Sequence, residues 1–229
     1  MIRLPGHPMH PLGGPLTLTD CRRHGPGSGA ELFLVEGDSA AGAVARVRAA
    51  ESQAVLPLRG KPLNALRAPR ARVAGHAFFA ALARAIALPI GAPCDPGAAA
   101  FERLVLLMDP DADGIHCGAL VVVFLLRWMR PLLEEGRVVM IRPPWGELSA
   151  TNDGRRIALA WSEEELRGLS AARPGDGVAR RFRGLACLDD ALLGHSCVDP
   201  ATRRAEAVTP AAAERMAKLL GAPGADGEH

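Results

Sequence analysis

The chain has 229 residues, enough for one domain of ordinary size with a smaller appendage, and a formal net charge of +2. Its five cysteines (Cys21, Cys94, Cys117, Cys187, Cys197) form no C-x-x-C pair, and the odd count argues against a secreted disulfide framework. The longest uncharged apolar run, Gly118 to Leu126, is too short to span a bilayer and no signal peptide opens the chain, so a soluble cytoplasmic protein is expected. Of the 27 basic residues only Lys61 and Lys218 are Lys; arginine suits phosphate, but a compositional bias produces the same excess.

Residues 1–30 are rich in Pro, Gly and His without sustained periodicity and read as an extended arm. His7, His10 and His24 lack ligand-like spacing, so a surface loop is favoured over a metal site. Glu31 to Val35 is an apolar strand. It runs into Glu36-Gly37-Asp38-Ser39 and an Ala-rich stretch, a tight turn and a helix in which Asp38 or Ser39 is the expected cap. The helix amides would suit an anion such as phosphate. Gln53 to Leu58 turns into a basic loop where Arg59 and Lys61 flank Gly60, plausible for a nucleic-acid phosphate although a solvated loop is the commoner explanation. An amphipathic helix is expected over 75–88 and a Gly/Pro loop over 89–98.

Leu104 to Met108 is five apolar residues in a row, a strand buried on both faces, followed by Asp109-Pro-Asp111-Ala-Asp113-Gly114. In open α/β sheets that rim is where ligands bind. Three carboxylates within five residues repel one another unless a cation sits among them, and all-oxygen ligands favour Mg2+ or Ca2+. An EF-hand is ruled out because the twelfth position from Asp109 is Leu120 rather than Glu. An aspartyl phosphotransferase motif would want Thr or Val at Asp113. Residues 115–130 read as a buried helix, with His116 in its first turn facing either the carboxylates or the packing, and Val138 to Trp145 as a strand stopped by prolines. Beyond 149 the elements are shorter and Arg-rich. Ser162-Glu-Glu-Glu starts a capped helix, 173–177 is a loop, a helix covers 211–220, and the last nine residues are expected to fray.

In this order, Leu32-Phe-Leu-Val-Glu36-Gly-Asp-Ser-Ala40, Gln53-Ala-Val-Leu-Pro-Leu-Arg-Gly-Lys61 with Leu63-Asn64, and Asp109-x-Asp111-x-Asp113-Gly-x-His116 resemble the Toprim motifs of the B subunit of bacterial type IIA topoisomerases, DNA gyrase and topoisomerase IV. Arg127 to Pro144, Ala160 to Leu166, Arg181-Phe-Arg-Gly-Leu185 and Val198 to Arg203 resemble that subunit's later segments, and Leu4-Pro-Gly6 its earlier one. The resemblance implies an α/β fold. A Rossmann-like Toprim domain over 31–148, with a central parallel sheet flanked by helices, would follow the arm and precede a small α/β tail domain over 149–229.

It also implies that Glu36, Asp109, Asp111 and Asp113 bind Mg2+, with Glu36 doubling as general acid-base beside the leaving 3′ oxygen. Lys61 would assist catalysis, and Arg59, Lys61, Asn64 and His116 would contact DNA. The expected partners are DNA, a gyrase-A-like subunit carrying the cleaving tyrosine, since this chain has no Tyr, and a separate ATPase subunit, since it has no P-loop. The chain departs from the family at Val47-Arg48-Ala49-Ala50, where Gly-Arg-Asp-Arg is usual, at Ala41-Gly42, and at Ala186-Cys187, where Gly-Glu is usual. Three functions stay open: a topoisomerase part, a non-catalytic Mg2+-dependent DNA-binding module, and a metal-dependent nuclease.

Overall fold

A computed structural model describes residues 2–3 and 16–221 of the chain. The readings placed on Leu4-Pro5-Gly6, His7, His10 and residues 222–229 lie outside the described residues. Strand β1 (Ile2–Arg3) pairs antiparallel with β2 (Thr17–Leu18). Thr19 then bridges the edge of the central sheet through two backbone hydrogen bonds to Val55, 2.9 and 2.8 Å long.

That sheet takes β3 (Glu31–Glu36), β4 (Gln53–Leu58), β5 (Arg103–Leu107) and β6 (Val138–Ile141) in the order β6-β5-β3-β4, all parallel. Its connections carry helices α1 (Gly37–Val47), α2 (Arg70–Gly75), α3 (Ala77–Ala85), α4 (Ala112–Trp128) and α5 (Arg130–Glu134). The fold is α/β, as expected. Alternate residues of a strand face opposite sides, and here both sides are covered. Leu32, Leu34, Leu104 and Leu106 pack with α3 and α4 residues such as Phe79, Val121 and Phe124, while Phe33, Val35, Val105 and Leu107 pack with Ala40 and Val44 of α1. Burial on both faces is why these strands read as continuous apolar runs, and each fully buried Leu or Val contributes about 1.5–3 kcal/mol.

The chain then forms a second sheet, order β8-β7-β9, from β7 (Gly146–Ala150), β8 (Arg156–Ala160) and β9 (Gly177–Arg181), with α6 (Glu163–Ala171) packed on it. Ser162 caps α6 by accepting from Glu165 N at 3.1 Å, as its motif predicts. Helix α7 (Asp190–Leu193) and a π-helical turn, Gly194–Val198, follow. Strand β10 (Ala205–Ala207) joins the central sheet antiparallel to β6, and α8 (Pro210–Leu220) packs on α4. Residues from beyond 149 thus complete both covers of the central sheet: Phe182, Leu185, Leu192, Leu193 and Val198 lie in the core beneath α1, and Val208 and Ala213 in the one beneath α4.

Three local expectations are corrected. The helix read over 75–88 is α3, shortened to Ala77–Ala85: His76 takes an extended conformation (φ −72°, ψ 124°) and separates it from α2, which ends where the expected range begins. Helix α4 stops at Trp128, where Met129 leaves helical geometry, and α5 restarts with Pro131 in its first turn, where the missing N–H costs nothing. Neither Asp38 nor Ser39 caps α1. Its N-cap is Glu36, which makes no side-chain cap bond.

Candidate metal centre

The chain passes from β3 to β4 on one side and then returns to place β5 on the other. In such sheets the crevice beyond the strand ends at this reversal is the natural ligand site. Glu36 ends β3, Arg59 follows β4, and Asp109 lies two residues past β5, so parallel register brings all three to the same rim. Gly37 makes the turn out of β3 at φ +77°, a conformation that L side chains rarely adopt. On the other side, α4 starts so close to the acidic loop that a Cβ at Gly114 would come within 2.2 Å of the Asp109 carbonyl oxygen.

The four carboxylates share the site but are held differently. Asp111 Oδ1 accepts from Gly114 N at 2.8 Å and caps α4. Asp113, largely exposed, pairs with Lys61 Nζ at 3.2 Å. Asp109 is half-buried, and its Oδ1 accepts the Leu185 N–H at 2.8 Å. Glu36 Oε2 is buried and has no hydrogen-bond partner among the described residues. Burial raises the Glu36 carboxyl above its ordinary value, as do the charges of Asp109, Asp111 and Asp113, with Lys61 opposing. Burial likewise raises Asp109, partly offset by the Leu185 amide. Desolvated oxygens in mutual repulsion, one of them unpartnered, are what a hard cation would relieve, so this donor set fits Mg2+.

The donor atoms are not drawn into a tight shell. Among the described residues, the group whose candidate ligand atoms all lie within 4.8 Å of one another is Asp20, Cys21 and His24. The aspartates instead occupy the cap, the Leu185 amide and Lys61. The Asp20 trio is local: His24 Nε2 lies 3.0 Å from Asp20 Oδ1, while the Cys21 thiol donates to the Arg23 carbonyl. Burial and then the charge of Asp20 raise that thiol above its ordinary value.

Of the residues expected to meet phosphate, Arg59 and Lys61 reach the rim. Arg59 Nε contacts both Asp38 oxygens at 2.9 and 3.0 Å, which is where Asp38 goes instead of capping α1. Asn64 uses its side chain on the chain itself, accepting from Leu66 N at 3.0 Å and donating to the Leu220 carbonyl at 3.4 Å. His116 lines a largely apolar cavity of about 690 Å³ with Asp109, Met140, Trp145, Trp161 and Leu219.

Two contributors escaped the sequence reading. Cys117 sits four residues after Asp113 on α4, with Sγ 4.0 Å from Glu36 Oε1; burial and then the Glu36 charge push its thiol to about 11. Helical spacing from Asp113 would have found it. The Leu185 amide had no local signal, because 76 residues separate it from Asp109. The departure at Val47 to Ala50 falls at the opposite end of the strands: Ala49 N donates to Gln53 Oε1 at 2.8 Å, where β4 begins.

The Toprim domain family matches residues 31–143. The chain is 34% identical over 206 residues to the DNA gyrase B subunit of Archaeoglobus fulgidus, covering 90% of this chain and 32% of that protein. It is 34% identical over 216 residues to its Thermus thermophilus counterpart (90% and 33%) and 35% over 221 residues to that of Mycobacterium tuberculosis (91% and 32%). The chain thus spans about a third of the length of these relatives. Motif, fold and similarity agree: the chain carries a Toprim domain and belongs with the Toprim-and-tail region of the DNA gyrase B subunits.

Proposed function

We propose that the chain is the Mg2+-binding cleavage module of a type II DNA topoisomerase, working with a gyrase-A-like subunit that supplies the tyrosine. The observation that carries this reading is the meeting of Glu36 with Asp109, Asp111 and Asp113 at the reversal of the sheet, with Glu36 Oε2 buried and unpartnered among the described residues. Glu36, Asp109, Asp111 and Asp113 would hold the ion. When bound, Mg2+ supplies charge stabilisation for the scissile phosphate and the departing oxygen. Burial and the neighbouring aspartates raise the Glu36 carboxyl above its ordinary value, the direction a proton donor needs. As the partner's tyrosine oxygen, releasing its proton to solvent, bonds to phosphorus and the bond to the 3′ oxygen breaks, Glu36 would give that oxygen its proton; on religation Glu36 would take the proton back and the tyrosine would regain one from solvent. Lys61 and Arg59, now paired with Asp113 and Asp38, would exchange these partners for DNA phosphates, with Lys61 next to the reacting centre. Asn64 and His116 are assigned a supporting role in placing the DNA.

A separate ATPase subunit would drive any ATP-dependent step. A cytoplasmic setting agrees with cysteines that are all free, and no helix among the described residues is long and apolar enough to cross a membrane.

The test is detergent trapping of labelled plasmid with Mg2+. The chain alone should form no covalent adduct, having no Tyr. Adding a tyrosine-bearing A subunit should yield cleavage complexes that vanish with Glu36→Ala. Label on this chain without a partner would overturn the two-subunit reading. Nicking with no attached protein would favour a nuclease, and DNA binding without any cleavage the regulatory module.

A further inference from the structure

Besides Lys61, the α4 turn and Cys117, a segment from far along the chain touches the carboxylates of the metal centre. The backbone at Gly184 and Leu185 lies against Asp109, and the segment has anchors other than that aspartate. Phe182 N donates to the Trp145 carbonyl at 3.0 Å, and the Phe182 and Leu185 side chains are buried beneath the sheet among Val35, Leu107 and Ala40. The turn closes on itself, with Cys187 N bonding the Gly184 carbonyl at 3.0 Å and Leu188 N the Leu185 carbonyl at 3.1 Å. The Leu185 N–H opens this turn and is given to Asp109 Oδ1.

Gly184 explains how the backbone gets so near. Its φ of 175° is extended backbone that any residue adopts, so conformational freedom is not why glycine stands here. Space is. A Cβ at this position would lie 2.8 Å from Asp109 Oδ2, 3.1 Å from Cγ and 3.2 Å from Oδ1. Contacts under 3.0 Å force a displacement, and the atoms that would have to move are those of a proposed metal ligand.

We propose that Gly184 and the Leu185 amide are positioning residues of the metal centre. They fix the orientation of the Asp109 carboxylate by occupying one Oδ1 lone pair and walling off its near side, so that the remaining lone pairs face a cation without a search over rotamers. The inference rests on Asp109 being a metal ligand and extends the centre to a loop outside the Toprim match. Residues that orient a ligand typically change metal affinity 10- to 100-fold when altered.

The experiment measures Mn2+ binding, as a paramagnetic substitute for Mg2+, by electron spin resonance on the full chain. Gly184→Ala should weaken binding at least ~10-fold, whereas Gly168→Ala, where an added Cβ meets nothing within 4 Å, should leave it unchanged. In the Asp109→Asn background Gly184→Ala should add little, because both act through one carboxylate. A merely structural role would lower the metal-free melting temperature and leave the Mn2+ affinity of the folded fraction intact. That outcome overturns the proposal. If Gly184→Ala fails to fold, the unaltered chain decides: substoichiometric Mn2+ should broaden the Leu185 amide resonance ahead of the amides of β9, and equal broadening overturns it. No Mn2+ uptake by the unaltered chain removes the metal reading itself, whereas uptake indifferent to Gly184 removes only this inference.

Discussion

Arg203 and Glu31 form a buried ion pair that joins the later segments to the first strand of the central sheet. Their side chains are 3% and 4% exposed. Arg203 Nη1 donates to Glu31 Oε2 at 2.7 Å and to the Val198 carbonyl at 3.1 Å, Nη2 bonds Glu31 Oε1, and the guanidinium lies over the Phe33 ring. Gln53 Nε2 completes the group, 3.1 Å from Glu31 Oε2 and 3.0 Å from the Val198 carbonyl. In Arg203→Met the carboxylate stays buried, with only Gln53 and the half-exposed Arg103 at 3.4 Å to compensate it. Breaking such a pair costs about 3–5 kcal/mol, while replacing both members by apolar residues is often neutral. Urea unfolding should therefore show Arg203→Met losing about 3–5 kcal/mol, or roughly 6–20 °C in melting temperature for a chain of this size. The double variant Glu31→Leu/Arg203→Met should recover most of the loss. A single variant losing less than ~1 kcal/mol, or a double variant no better than the single, would refute the claim that an uncompensated buried charge sets the cost.

Three further outcomes follow from the same structure. Mg2+ at ~100 times its Kd should stabilise the fold by about 2.7 kcal/mol in a thermal melt; Asp111→Asn should abolish that gain while keeping the α4 cap, since Asn caps as well as Asp, and an unchanged Mg2+ shift would remove Asp111 from the ligand set. Duplex DNA titrated at several salt concentrations should bind weakly and without sequence preference, and Lys61→Ala should flatten the salt slope by roughly one unit, an identical slope excluding Lys61 from phosphate contact. For Glu147, burial by itself would raise the carboxyl, but hydrogen bonds and charge from Arg156 and then Arg180 outweigh it and hold the group below the ordinary value of 4.5. A lowered carboxyl stabilises the fold above that value and loses its contribution as pH falls toward the folded one. Unfolding midpoints should therefore drop below pH 4.5 more steeply in the unaltered chain than in Glu147→Gln, and parallel curves would count against the Arg156–Glu147–Arg180 cluster.

What was legible beforehand is local in origin. A strand buried on both faces must be apolar throughout, which made Glu31 to Val35 and Leu104 to Met108 readable. Capping chemistry spans three or four residues, which placed the start of α6. The misreadings are local patterns overruled by a neighbour. Asp38 had the composition of a cap for α1, yet its carboxylate pairs with Arg59 from the loop after β4. Periodicity carried a helix through His76, where the backbone turns extended. The Asp109, Asp111 and Asp113 spacing was visible as a cation-binding pattern, but not how each carboxylate is occupied, because Lys61 and Leu185 are distant in the chain.

By itself the sequence determined the element types, the apolar strands and the set of carboxylates at strand ends, since each depends on residues within a few positions of one another. It also carried the family resemblance, through motifs in a set order. Only the tertiary structure decided that Glu36 and Asp109 share one rim, because that requires β3 and β5 to be neighbours although 66 residues separate the end of one from the start of the other. It alone decided that residues beyond 149 span one face of the sheet, from Leu185 at Asp109 to Arg203 at Glu31. Contacts of that range form when hydrophobic burial offsets the entropy of closing long loops, and no short stretch of residues records which partners will meet.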